Sequence, residues 1–176
     1  MAILIIEGPD LVGKTAAIEK ITKHFKRGFL LKNLYKPVVK GDKTIWAQYW
    51  RMINMAYTTE GLFILDRFYQ SQIVYSILRG SDDFLHPEAE SIEKYLRLKK
   101  DVFYIYLTCN EEELEIRYMK IGDEHVNLEQ IKQMQDRYDR YYDEDCKLPK
   151  IKIDTRDETW LKQIEDLTGL KKCSLC

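Results

Sequence analysis

The sequence carries no surplus of positive charge: 28 lysines and arginines stand against 29 aspartates and glutamates over 176 residues, a net charge of −1. A protein whose main partner is a nucleic-acid backbone needs basic side chains in excess to neutralise phosphates. That class is therefore not expected, and any basic site must be local. No apolar run reaches the roughly 18 residues of a membrane span, so no membrane partner is expected either. The opening MAILIIEGPD lacks a basic flank and runs into a glycine-containing turn, which predicts a buried strand rather than a signal peptide. There are four cysteines, Cys109, Cys146, Cys173 and Cys176, two of them isolated and two within the last four positions. That is not a disulfide framework; reduced thiols and a cytoplasmic location are expected. Cys173-Ser-Leu-Cys176 behind Lys171 and Lys172 has the look of a prenylation box, but Cys is not a usual final residue. An inert tail is the expectation ahead of a lipid, metal or redox role. His24, His86 and His125 share no ligand spacing, so no zinc site is read.

No repeat, linker or low-complexity tract interrupts the chain, which reads as one domain over 1–176. Strands are predicted at Ala2–Glu7, Leu30–Val39, Gly61–Asp66, Asp101–Thr108 and Lys150–Asp154. Several are continuous apolar runs, such as AILII, LFIL and VFYIYL, the pattern of parallel strands covered on both faces. Helical periods fall at Lys14–Phe25, Thr44–Tyr57, Tyr69–Arg79, Pro87–Lys99, Glu111–Met119, Asn127–Glu144 and Asp157–Leu167. Pro87 suits a first helical turn, and Asp157 or Thr155 is expected to cap the last helix. Strands alternating with helices predict an α/β sandwich around a parallel sheet, whose ligands bind beyond the carboxyl ends of the strands.

The first strand ends in Gly8-Pro9-Asp10-Leu11-Val12-Gly13-Lys14-Thr15 and enters a helix at once. This is G-x-x-x-x-G-K-[ST] in the strand-before, helix-after setting that gives it meaning. The glycines let the backbone curl so that successive N–H groups face phosphate oxygens, and the helix N-terminus adds its positive end. Lys14 can reach the β- and γ-phosphates of a nucleotide, and the Thr15 hydroxyl can ligate Mg²⁺. The third strand ends in Asp66-Arg67. An aspartate there can orient metal-bound water, and the arginine offers a planar fork for a phosphate oxyanion.

The residues beyond sharpen the reading. Asp66-Arg-Phe-x-x-Ser71-x-x-Val-Tyr75 resembles the thymidylate kinase segment, Glu7-Gly-Pro-Asp10-x-x-Gly-Lys-Thr resembles that family's phosphate loop, and Ile153-Asp154-Thr155 before a final helix resembles its late strand. The resemblance spans nearly the whole chain and is more specific for nucleoside and nucleoside-monophosphate kinases as a group than for thymidylate kinase alone. It implies a three-layer P-loop fold with a five-stranded sheet in the order 2-3-1-4-5. It further implies an ATP site over Gly8 to Ala16 with Thr155, and a lid at about 110–127 whose Arg117, with Lys120 on the same face, closes on the donor. Arg67 would hold the acceptor's phosphate, Asp10 the sugar 3′-hydroxyl, and Ser71 would lie near the base. Tyr75 would crowd the 2′ position. Trp46 or Trp50 would stack on the base and Arg51 would contact it. A homodimer is implied on the same ground. Leu11, Val12 and Ala16 depart from the family's usual loop residues.

The acceptor is argued from chemistry. A monophosphate is largely ionised at neutral pH, its second pKa being about 6, and needs positioning. A sugar 5′-hydroxyl must lose a proton and wants a carboxylate nearby. Nucleoside kinases resembling this chain carry that glutamate before a proline at the end of the second strand. Here the dipeptide is Lys36-Pro37, and no acid occurs from Phe29 to Gly41. The expectation is thus an ATP- and Mg²⁺-dependent kinase of a deoxynucleoside monophosphate, most readily dTMP, with Lys14, Asp66, Arg67 and Arg117 as its catalytic groups. A deoxynucleoside kinase is the alternative. A non-catalytic P-loop module comes next, although the Asn-Lys-x-Asp motif of a switch protein is absent. A polynucleotide 5′-kinase would lack charge to grip a strand. The tyrosine-rich stretch from Asp136 to Asp145 reads as a solvated helix with its tyrosines turned inward.

Overall fold

In the computed structural model, residues 2–25, 28–32, 44–58, 61–76, 87–123 and 126–172 are described. Five strands form the sheet: β1 (Ala2–Glu7), β2 (Gly28–Lys32), β3 (Leu62–Asp66), β4 (Val102–Thr108) and β5 (Lys150–Asp154). All pair in parallel, in the spatial order β2-β3-β1-β4-β5. Every residue of β1 and of β4 is buried, which is why both read as unbroken apolar runs: each strand is covered on its two faces. The helices are α1 (Lys14–Phe25), α2 (Thr44–Thr58), α3 (Tyr69–Val74), α4 (Pro87–Arg97), α5 (Glu111–Ile121), α6 (Leu128–Arg140) and α7 (Trp160–Thr168).

The register decides where chemistry can happen. Ile6 lies opposite Asp66, and Glu7 opposite Tyr106, so β3 ends one residue before β1, and β4 runs two residues past it. The chain winds to one side of β1 for β2 and β3 and to the other for β4 and β5, leaving a crevice at the carboxyl edge where the direction reverses. The phosphate loop, the Asp66-Arg67 step and the turn after β5 all open there.

Several boundaries differ from the sequence reading. The second strand begins at Gly28, where it pairs with Leu62, and not at Leu30; Lys36 and the rest of 33–43 lie outside the described residues. The α-helix after β3 ends at Val74 rather than continuing to Arg79, and 77–86 are likewise outside the description. Residues Asn127–Glu144 are not one helix. Asn127 is the cap, with a reciprocal capping box to Gln130, and past Arg140 the chain widens into a π-turn, Tyr141–Asp145. Neither Asp157 nor Thr155 is the N-cap of the last helix. That position is Thr159, whose N–H and hydroxyl both donate to Asp157 Oδ1 at 2.7 and 2.8 Å, so Asp157 braces the turn one step earlier.

Cys109 and Cys146 are buried free thiols, and Cys173 and Cys176 lie outside the described residues. Among the described residues no helix is long and apolar enough to cross a membrane.

Candidate functional site

The phosphate loop is held by its backbone. Gly8 has φ of +150°, and a Cβ there would sit 2.3 Å from the Leu107 carbonyl oxygen, so the loop leaves β1 by sliding against β4 in a way only glycine permits. Leu11 takes φ of +64° and Gly13 of +90°, while Val12 is fully buried and pins the loop's apex to the core. The Lys14 ammonium folds back into the curl, donating to Gly8 O at 2.9 Å and Pro9 O at 2.6 Å. Burial, and then the neighbouring Arg67 guanidinium, pull Lys14 down to about 7; Asp10, Glu7 and Asp66 oppose them.

Arg67 sits one residue past β3 with φ of +65°, an uncommon conformation for a side chain of this size and a mark of local strain. Its N–H donates to Ile6 O at 3.0 Å, extending the ladder and fixing the turn. From there the guanidinium reaches Asp10 Oδ1 through Nη2 at 2.5 Å, and Gly8 O, Ser71 Oγ and Tyr138 OH through Nη1 at 3.1, 3.3 and 3.2 Å. It lies 4.8 Å from the centre of the Tyr75 ring, whose hydroxyl donates to Asp10 Oδ2 at 2.7 Å. Burial alone would raise the Asp10 carboxyl; Arg67, Lys14 and Tyr75 together outweigh it and hold Asp10 below its ordinary value.

Beneath this layer is a fully buried carboxylate, Glu7. It accepts from Phe68 N at 2.7 Å, Ser71 N at 3.2 Å, Ser71 Oγ at 2.7 Å and Tyr138 OH at 2.8 Å. Burial pushes its carboxyl up against the lowering pull of Arg67 and these donors.

On the far side of the loop, Arg117 of α5 donates from Nη1 to Leu11 O at 3.1 Å and to Thr155 Oγ1 at 3.4 Å, while Nε pairs with Glu113 at 2.7 Å. The Asn110 side chain caps α5 by accepting from Glu113 N, which sets that helix's start. Beside Arg117 opens a cleft of about 420 Å³ bounded by Leu11, Ala16, Lys20, Ile116, Thr155 and Trp160. Its walls come from the loop and α1, from α5, and from the turn after β5 with the first residue of α7. Such a cleft can take one flat heterocycle with the Arg117 guanidinium against it.

The expected metal is testable on the donor set. The exposed Thr15 hydroxyl and the half-buried Asp66 carboxylate are hard oxygen ligands at the loop's mouth, and Asp66 lies close enough to act on the Lys14 charge. Among the described residues no group of three or more His, Cys, Asp or Glu forms a cage. That combination fits Mg²⁺, which takes one or two protein ligands and completes its shell with phosphate and water.

Other expected residues are placed differently. Ser71 does not face an open base site, because its hydroxyl is spent on buried Glu7. Trp46 is a core residue, edge-on to Tyr49. Trp50 turns to α4, edge-on to Tyr95 with Nε1 donating to Glu88 at 3.4 Å, so neither indole lies free as a stacking platform. Arg51 is exposed on α2 and Lys120 on α5. The residue missed outright is Tyr138. The sequence does bury it, since Ile131, Met134 and Tyr138 share one face of α6, but burial gives no hint that its hydroxyl meets Arg67.

No protein-family model matches the chain, and no curated protein matches it. Solved structures do. The YorR protein of Bacillus subtilis, in complex with phosphorylated GDP, is similar over 96% of this chain and 96% of its own, with a TM-score of 0.75 at 22% identity. Deoxyadenosine kinase from M. mycoides with the products dCMP and dCDP is similar over 93% of this chain and 97% of its own, with a TM-score of 0.57 at 16% identity. The same enzyme with bound dATP gives 94%, 98% and 0.58, again at 16%. At these identities the likeness is one of fold: this chain shares its parallel α/β architecture with these two proteins over nearly its full length.

Proposed function

We propose that the protein is an ATP- and Mg²⁺-dependent nucleotide kinase that transfers the γ-phosphoryl group to a deoxynucleoside monophosphate, with dTMP the first candidate. The observation that carries the reading is the Arg67 guanidinium, its Nη2 on Asp10 Oδ1 at 2.5 Å, beside the phosphate loop and across it from Arg117. A guanidinium holding a carboxylate in a strained, partly buried turn is a preformed oxyanion site. The loop and Lys14 cradle the donor phosphates, Arg117 closes over the donor, and Arg67 takes the acceptor's phosphate while Asp10 turns to its sugar. Thr15 and Asp66 hold the Mg²⁺, which supplies charge neutralisation to the transferring group. Lys36, Arg51 and Tyr75 remain acceptor-side contacts in this reading, and the segment at about 110–127 is its lid.

A second reading is favoured by the fold shared with deoxyadenosine kinase: transfer to a nucleoside 5′-hydroxyl. It needs a carboxylate that can touch the substrate, and Glu7 is sealed from it, which leaves Asp10 or Asp66. One assay separates the two. ADP release is followed with Mg²⁺ and ATP against dTMP, dUMP, dGMP, dCMP, dAMP, thymidine and deoxyguanosine, with Lys14→Ala as control. Turnover of a monophosphate and not of its nucleoside supports the first reading. Turnover of nucleosides alone replaces it with the second. Silence across the panel removes both in favour of a non-catalytic nucleotide-binding module.

A further inference from the structure

Arg67 is flanked by two carboxylates that differ in kind. Asp10 touches it directly and is partly exposed, with 29% of its side chain accessible. Glu7 is fully buried and never touches it; two hydroxyls stand between. Ser71 Oγ and Tyr138 OH each donate to Glu7 Oε2, at 2.7 and 2.8 Å, and each offers a lone pair to Arg67 Nη1, at 3.3 and 3.2 Å. A hydroxyl has one proton, so with both protons aimed at Glu7 the 3.1 Å approach of the two oxygens carries none. The polarity of the network is thereby fixed: the carboxylate orders the hydroxyls, and the hydroxyls present acceptors to the guanidinium.

We infer, on the basis of the kinase reading above, that Tyr138 and Ser71 are positioning residues that hold Arg67 one hydroxyl away from its buried counter-charge, keeping its outward Nη2 free for an acceptor phosphate once Asp10 lets go. Without the spacers, an arginine beside a dehydrated carboxylate closes on it in a two-point ion pair, the arrangement its planar fork favours. Its donors would then face inward. With them, Glu7 balances the arginine's charge at a distance and spends only Nη1 on it through the hydroxyls, while Nη2 stays outward on Asp10. Tyr138 is itself fixed by stacking on Tyr106 of β4, with ring centres 5.7 Å apart and planes 23° from parallel. Helix α6 therefore acts on Arg67 from the rigid side of the sheet.

The test uses the full-length protein and the acceptor that the wild type turns over in the panel. Tyr138→Phe and Ser71→Ala are expected to raise the acceptor KM about tenfold, the worth of one hydrogen bond to a charged group, and to leave the ATP KM unchanged. Ser71→Thr keeps a hydroxyl and is expected to restore the wild-type acceptor KM. Equal rises in both KM values, an unmoved acceptor KM, or no difference between Ser71→Ala and Ser71→Thr each overturn the inference. Crystal structures of the wild type and Tyr138→Phe decide it independently of turnover: Arg67 Nη1 is expected to close directly on Glu7, and an unmoved Arg67 rejects the spacer role. Should the wild type turn over nothing, the kinase reading fails, and the crystallographic comparison still decides whether the hydroxyls set the arginine's position.

Discussion

Lys14 and Arg67 end on the same oxygen: the Gly8 carbonyl accepts from Lys14 Nζ at 2.9 Å and from Arg67 Nη1 at 3.1 Å. Two cations converging on one neutral acceptor repel each other, and that repulsion is part of what lowers Lys14. An anion bound between them relieves it. In the proposed kinase, that one backbone oxygen is where the donor-side lysine and the acceptor-side arginine meet.

The first consequence is proton uptake. Lys14 titrates near 7 in the folded chain and at an ordinary 10.5 when unfolded. Between those values the folded state holds fewer protons at this group, so its contribution to stability rises with pH across that window, and below 7 the full cost of the buried charge is present. Phosphate restores the charged form. Calorimetric titration with ATP at pH 8, in two buffers of different ionisation enthalpy, should reveal uptake of up to about one proton per site. At pH 6 the uptake should vanish. Identical heats in both buffers at pH 8 contradict the expectation.

Glu7 gives a signature of the opposite kind of group. Its carboxyl is raised above 4.5 by burial, so its favourable contribution is present at low pH and is lost as pH rises through the folded-state pKa. Glu7→Gln removes that titration while Lys14 remains in both proteins. Urea unfolding of the pair across pH 4 to 8 should show the wild type losing stability relative to Glu7→Gln as pH rises. A difference that does not change with pH refutes it.

Glycine substitutions should separate collision from conformation. Gly8→Ala drives a methyl to 2.3 Å from a backbone oxygen, which no rotamer can relieve. A loss of about 3 kcal/mol or more, together with loss of nucleotide binding, is expected. Gly122, at φ of +69°, has nothing within 4 Å of its would-be Cβ. Its ψ of 179° puts it outside the left-handed helical well, in a region close to glycine-only, so Gly122→Ala should cost about 1–3 kcal/mol of backbone strain without any collision. Thermal unfolding of both variants checks the ordering.

The two arginines should divide the substrates between them. Arg117→Ala opens the donor cleft and is expected to raise the ATP KM about tenfold or more with the acceptor KM unchanged. Arg67→Lys keeps the charge and loses the planar fork, so it should weaken the acceptor and spare ATP. Steady-state kinetics varying one substrate at a time reads both, and a shared effect on the two KM values argues against the division.

What the sequence disclosed, and what it withheld, follows from the range of the forces involved. The phosphate loop was legible because its chemistry is backbone chemistry, and Gly8, Gly13 and Lys14 announce it by spacing alone. Strands β1 and β4 were legible because burial on both faces leaves an apolar run. Ser71 is harder to read, because its spacing from Arg67 places it on the right helix but not on a particular side of it. Glu7 decides the side, from 64 residues away. Tyr138 lies 131 residues from Glu7 and 71 from Arg67. Helical period along α6 identifies it as inward-facing, and nothing local to a run of tyrosines, arginines and aspartates can say that one hydroxyl among them meets a charged pair.

The π-turn at Tyr141–Asp145 works as a phase shifter. Before it, Tyr138 must point at Glu7; at and beyond it, Tyr141 must reach Glu93 at 2.7 Å and Cys146 N must return to Tyr141 O at 2.8 Å before the chain enters β5. An uninterrupted α-helix advances about 100° per residue and carries one rotational setting along its whole length. The widened turn inserts a residue's worth of slack, so that the hydroxyl beneath the phosphate loop and the entry to the sheet's edge strand are set separately. Its loosened carbonyls do not go to waste: the Lys150 ammonium, from the first residue of that strand, donates to the carbonyls of Tyr142 and Cys146. Shortening the turn by one residue would bring the two settings back onto a single axis, where a change made at the outer strand would be felt as a rotation at the arginine.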